Sequence, residues 1–202
     1  MTYATHEPSD PGSAGRPTDQ DLTQRILLAA ATLVIEEGYS ALKIEHVAKR
    51  AGCGKAAVYR RFADKGALVA AAIKTHVSLG DIPDRGNLID DLLDHALQNQ
   101  SNQRLVDGKR ASGQGFTAMF EPDVYVHLWE DFFRLRRDRG VEIIDRAVAR
   151  GEVPADIDRD LVLDTIAGLT IYRQSIKQIH ITGDQFRAVI SALVENPPRY
   201  LQ

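Results

Sequence analysis

The sequence predicts an all-α fold in two parts, and three observations carry that expectation. Apolar residues recur three and four positions apart in every long segment, which is the period of a helix buried on one face. No segment alternates apolar and polar residues as a half-buried strand would, and no internal repeat is present. Breaks rich in glycine and proline, above all Gly80 to Gly86 with Pro83 inside it, separate an N-terminal group of short helices from longer ones.

The elements follow in order. Residues 1–15 hold two prolines, two glycines and few large apolar groups, so they are expected to form a disordered arm. A first helix is predicted from Asp19 to Glu37, with Leu22, Ile26, Ala29, Ala30, Leu33 and Val34 on one face and Gly38 as its stop. A second fits Lys43 to Ala51, and a third runs from Lys55 to Phe62 after the break at Gly52-Cys53-Gly54. Asp64 is a natural N-cap for a fourth helix reaching Leu79. Beyond the break, helices are predicted from Leu88 to Arg104, from Asp123 to Arg150, from Asp158 or Asp160 to Ile181, and from Gly183 to just before Pro197. The helix from Asp123 would be roughly 40 Å long at 1.5 Å per residue. These breaks divide the chain into the arm, a unit at 16–80 and a unit at 81–202.

Composition and charge narrow the function. The 202 residues are 44% hydrophobic, enough for one moderate core or two small ones. One cysteine, Cys53, allows no intramolecular disulfide, and no His, Asp or Glu spacing makes a metal site. No apolar run approaches the roughly 18 residues of a membrane span, and no secretory signal opens the chain, so a cytoplasmic protein is expected. The formal charge of −3 is unevenly spread. Lys43 to Lys65 carries seven basic and two acidic residues, a local +5, which leaves −8 elsewhere. A compact basic stretch on an acidic chain is the footprint of one small module that meets phosphate, although a solvated helix face is the commoner meaning of a charge run.

Two short helices joined by a tight glycine-containing turn and supported by a longer one form a helix-turn-helix pattern. A helix of eight residues is about 12 Å long, which a major groove about 12 Å wide can accept. Val58 and Phe62 would supply its apolar back, and Lys55, Tyr59, Arg60 and Arg61 would face DNA. A guanidinium can bond guanine O6 and N7 together, so Arg60 and Arg61 are candidates to read base edges, without a choice between them.

The run ILLAAATLVIEEGYSALKIEHVAKRAGCGKAAVYRRFADKGALV, with Gly15-Arg16-Pro17 before it, resembles the N-terminal domain of tetracycline-repressor-type regulators over about residues 15 to 75. The segment ARGEVPADIDRDLVLDTIAGLTIYR resembles the second domain of one subgroup. The resemblance implies a three-helix, homeodomain-like helix-turn-helix domain followed by a helical domain for ligand binding and dimerisation. It implies a homodimeric repressor that leaves a palindromic duplex operator when a largely apolar small molecule binds. By the same resemblance, Lys55, Tyr59 and Lys65 would contact phosphates, Ala56 and Ala57 would lie along the contacting helix, and Arg16 would reach a minor groove from its arm. Ala57 stands where the family usually has Thr or Ser, and Lys43 where it often has a hydroxyl, so Lys43 would replace that contact with a charge.

In the second part, Phe116, Trp129 and Phe133 are the candidates to line a pocket, against the plainer reading of a bundle core. His95 and His127 could orient a ligand. Ile166, Leu169, Ile176, Phe186, Val189, Ile190 and Leu193 form stripes on the last two helices that either close the domain's own core or meet their twins across a two-fold axis, and the resemblance favours the twins. No catalytic constellation or cofactor motif is present. A DNA-binding protein without an effector, or a small helical enzyme, are the alternatives to a regulator.

Overall fold

The computed structural model describes residues 19–102 and 117–200, so the expected arm, Arg16 and Phe116 lie outside the described residues. Within them the helices are α1 (Asp19–Glu37), α2 (Ile44–Ala51), α3 (Lys55–Tyr59), α4 (Lys65–Lys74), α5 (Leu88–Ser101), α6 (Pro122–Leu128), α7 (Arg134–Arg150), α8 (Arg159–Ile171) and α9 (Gly183–Glu195). The only β feature among these residues is one isolated bridge, Ile157 to Arg199. The fold is all-α.

Local chemistry explains most boundaries. Asp64 caps α4 by accepting from the Ala67 N–H at 2.7 Å, Asn87 caps α5 from Asp90 N at 2.9 Å, and Asp158 caps α8 from Leu161 N at 2.9 Å. Thr182 and Gln185 form a reciprocal capping box at the start of α9. At α2 the Lys43 side chain makes no capping bond, as an ammonium with no acceptor must not. That helix closes instead at its far end, where Gly52 takes φ 70° and donates to the carbonyls of Ala48 and Lys49. Gly52 is therefore the residue that makes the turn. Gly54, at φ −87° and ψ 155°, is in ordinary extended backbone that needs no glycine.

Several helices depart from the expectation, and among them α5 ends at Ser101 and α8, with its π turn, at Ile176, short of Arg104 and Ile181. The regular part of α3 ends at Tyr59, although Arg60 and Phe62 still donate four residues back, to Ala56 at 3.1 Å and Val58 at 3.0 Å. The helix α4 ends at Lys74, where Thr75 and His76 donate only three residues back. The predicted rod from Asp123 to Arg150 is continuous but carries a π turn, Trp129–Phe133, between α6 and α7. A second π turn, Tyr172–Ile176, follows α8. Each inserts an extra residue into a turn, which rotates every later side chain about the helix axis.

Two apolar cores hold the molecule. The first joins Ile26, Leu33 and Val34 of α1 with Val47, Val58, Leu68 and Val69, and it also takes in Met119, Val124, Leu128 and Phe132. The second is built from Leu88, Leu92, Ile143, Ile144, Val162, Ile166, Phe186 and Ile190. The segment 118–133 therefore packs with the helix-turn-helix although it lies far along the chain. Ile166, Phe186 and Ile190 are 6%, 0% and 0% exposed within one protomer. Their assignment to a contact between protomers is corrected here: these three close the protomer's own second core. Leu169 and Leu193 pack partly against that core, Val189 is half-buried, and Ile176 is 69% exposed.

Candidate nucleic-acid interface and the aromatic cavity

The third helix is fixed from behind by Val58, which is 1% exposed, and by Phe62, which packs partly buried against the first core. With that back anchored, Lys55, Ala56, Tyr59 and Arg60 point outward, Tyr59 with 54% of its surface exposed, while Ala57 is half-buried. Lys43 is exposed on the same module at the start of α2. Lys55 forms an ion pair with Glu45 across the turn. Both partners are about half exposed, so the pair is weak enough for a phosphate to replace the carboxylate.

Arg60 and Arg61 part company. Arg60 is exposed, and its side chain makes no hydrogen bond or ion pair with the described residues. Arg61 folds back, with its side chain only 11% exposed: Nε donates to Thr23 Oγ1 at 3.0 Å, Nη1 donates to the Ala57 carbonyl at 2.7 Å, and Nη2 pairs with Asp19. It ties α3 to the start of α1. Lys65 also turns inward, donating to the Tyr39 carbonyl at 3.0 Å with its ammonium 4.0 Å from the Tyr39 ring centre. Adjacent residues of one type are separated here only by helical phase and by the carboxylate at Asp19, a partner 42 residues away in sequence.

The module is bolted to the segment 118–133. Tyr39 Oη donates to Asp123 Oδ2 at 2.8 Å, and burial first, then that carboxylate, raises the phenol above its ordinary range. Lys74 donates to Asp131 at 2.6 Å. A Cβ on Gly66 would lie 2.3 Å from the Asp123 carbonyl oxygen, so α4 and α6 touch at backbone distance. His127 lies 3.9 Å from Asp64, at the cap of α4 and away from the cavity.

Between the two cores lies a cavity of about 250 Å³. Trp129 and Phe133 line it, joined by Met119, Phe132, Leu163 and Ile166. Tyr125 and Phe133 stack with centroids 5.5 Å apart, and Phe132 meets Phe133 edge-on at 5.4 Å. The π turn gathers these rings, because Trp129, Phe132 and Phe133 all fall within it. His95 also lines the cavity. It is 6% exposed, and burial, aided by Arg136 and Arg139, lowers its pKa to about 3, which leaves a neutral imidazole at pH 7.

Arg136 and Arg137 line the cavity too and were not singled out in the sequence, since arginines on an amphipathic helix read as solvated. Arg137 is paired with Asp160 at 2.5 Å and Asp164 at 2.8 Å. Arg136 is not paired with any described carboxylate. Its Nη2 donates to the His95 carbonyl at 2.8 Å, and its Nη1 is buried with no acceptor. Burial, with Arg139 nearby, lowers its pKa to about 10, so it stays a cation at neutral pH. Among the described residues no group of three His, Cys, Asp or Glu side chains could hold a metal, and no helix is long and apolar enough to cross a membrane.

Residues 82–193 match the family described as "Tetracyclin repressor-like, C-terminal domain", and residues 26–72 match "Bacterial regulatory proteins, tetR family". The HTH-type transcriptional regulator YdeS of Bacillus subtilis is 27% identical over 175 residues, covering 85% of this chain and 84% of its own. The DNA-binding transcriptional repressor TetR of Mycobacteroides abscessus is 28% identical over 163 residues, covering 75% and 80%. Among solved structures, MexZ, described as a key repressor responsible for antibiotic resistance in Pseudomonas aeruginosa, aligns with a TM-score of 0.62 at 21% identity, over 91% of this chain and all of its own. At that identity the likeness speaks for the fold.

Proposed function

The chain belongs to the tetracycline-repressor family of transcriptional regulators, and from that premise we propose that it is a homodimeric repressor whose operator affinity is set by a small molecule in the aromatic cavity. The observation that carries this reading is the position of the cavity. Its walls Met119 and Phe132 are also members of the core that supports α1 to α4. A molecule that displaces either residue displaces the base on which the reading helix stands. The bond from Tyr39 to Asp123 and the backbone contact of Gly66 with Asp123 make that base a relay. A ligand that binds better to the state with misplaced heads lowers DNA affinity by the ratio of its affinities for the two states. The role proposed is binding and release, with no turnover of the bound molecule.

On DNA, α3 enters a major groove with Tyr59 and Lys55 on phosphates and Arg60 toward base edges. Two heads meet half-sites about one helical turn apart, roughly 34 to 36 Å. The unit 16–80 holds the duplex, and the unit 81–202 holds the ligand and the second protomer. If six to ten phosphates are contacted, affinity falls by about 10³ to 10⁵ between 50 and 200 mM salt.

The test is a selection of bound duplexes from a random pool, followed by titration of the selected site. Arg60→Ala is expected to lose discrimination at a particular base pair, by about 1–3 kcal/mol. Lys43→Ala is expected to weaken all duplexes alike. A flat salt response, or identical sequence-blind losses for both variants, overturns the assignment of α3 as the reading helix.

A further inference from the structure

We propose that the cavity takes an amphipathic carboxylate: an apolar body against Trp129, Phe133 and Ile166, with its carboxylate on Nη1 of Arg136. The inference rests on the reading of this cavity as the ligand site and adds the chemical class of its occupant.

The argument begins with the cost of the site as it stands. A guanidinium carries five N–H donors and no acceptor, and a buried one without a counter-charge is among the least favourable arrangements a protein core can hold. Arg136 is held by one backbone bond, to the His95 carbonyl, and its Nη1 has no acceptor. The neighbouring Arg137, nearer the surface, shows the ordinary solution, two exposed aspartates from α8, whereas the more deeply set Arg136 has none from the described residues. The other polar groups of the wall do not answer it. His95 is neutral and lies near Arg136 without adding negative charge. Both ends of the Asn102 amide are engaged with Ser78, at 2.8 and 2.7 Å. Asn99 and Tyr125 also line the cavity, but neither accepts from Nη1 of Arg136, and the other walls are apolar side chains apart from the paired Arg137. A cavity of about 250 Å³ with one unanswered cation and apolar walls fits a small molecule with one anionic end. Charge-assisted bonds from guanidinium to carboxylate are the strong ones, and in a water-poor cavity they are stronger still.

The experiment uses the full chain and two probes of matched length, octanoate and 1-octanol. Trp129 is the single tryptophan of the chain and lines the cavity, so its fluorescence reports occupancy there, and calorimetry gives the affinity. Octanoate is expected to bind at least tenfold more tightly than 1-octanol. Arg136→Met, close in volume and without charge, is expected to erase that preference while still binding 1-octanol. Arg136→Lys is expected to keep the preference. Octanol binding as tightly as octanoate, no saturable octanoate response, or a preference that survives Arg136→Met each overturns the inference. The wild-type ratio decides the matter even where a variant fails to fold. Operator affinity without ligand is read separately, so loss of the anion preference and loss of DNA binding are told apart.

Discussion

Arg60 and Arg61 share a residue type and a peptide bond, yet their surroundings give them different work. Arg61 gives up two hydrogen bonds to neutral acceptors and an ion pair if truncated, and its side chain is largely enclosed. Its aspartate partner is 89% exposed, so the pair itself contributes little, and most of the loss falls on the bonds to Thr23 and the Ala57 carbonyl. Arg61→Ala is expected to destabilise the protein by about 1–3 kcal/mol in urea unfolding, whereas Arg60→Ala should stay within about 0.5 kcal/mol of the wild type. Arg61→Ala should also lower affinity for every duplex without changing which sequence is selected. A base preference that shifts in Arg61→Ala while its unfolding midpoint stays put would refute this division. The local sequence offers no hint of it, because YRRF presents both arginines to solvent until α1 places Asp19 and Thr23 beside the second.

At the scale of elements, the contact between α4 and α6 joins the DNA-binding module to the cavity wall. Gly66 sits where any Cβ would meet the Asp123 carbonyl at 2.3 Å, and a backbone atom cannot swing away as a side chain can. Alanine in a helix interior ordinarily gains about 1 kcal/mol over glycine, but overpacking costs about 1–3 kcal/mol, and here the backbone contact decides the sign. Gly66→Ala is expected to lower the melting temperature by several degrees, since about 1 kcal/mol corresponds to about 2–4 °C at this size. An unchanged or raised midpoint in thermal unfolding would show that α6 moves away from α4 freely, and the relay would fail with it. The helices themselves were legible in the sequence because their signals are local: Asp64, Asn87 and Asp158 cap, and Gly52 and Gly151 stop in the left-handed region. The π turns were not legible. An extra residue in a turn leaves no mark in capping or composition, and Arg136, just beyond the first π turn, reads as one more solvated charge on an amphipathic helix.

For the whole molecule the open question is how two heads are set a helical turn apart, and the apolar residues left over by the protomer's own core bear on it. With Ile166, Phe186 and Ile190 spent inside and Ile171 on the cavity wall, α8 and its π turn present Leu161, Tyr172 and Ile176 outward, at 49%, 52% and 69% exposure, with Gly168 exposed between them. They recur at helical intervals along α8 and its π turn, one face free of the core. The stripe read from sequence ran one face too far inward, since apolar spacing marks a buried side without telling whether the cover is one's own chain or a twin's. A two-fold contact on this face would be isologous, each protomer presenting Leu161, Tyr172 and Ile176 to the same residues of the other. Ile176→Glu is then expected to give folded monomers in sedimentation equilibrium, with wild-type helical content by circular dichroism and an unfolding midpoint that no longer depends on protein concentration. Operator affinity should fall by about 10² to 10⁴, the loss that follows when two linked sites bind singly. Phe186→Ala serves as the contrast: it should cost about 3–5 kcal/mol of protomer stability through a core cavity. A dimer that persists in Ile176→Glu with full operator affinity would move the two-fold axis to another face, and with it the geometry by which the cavity could part the two reading helices.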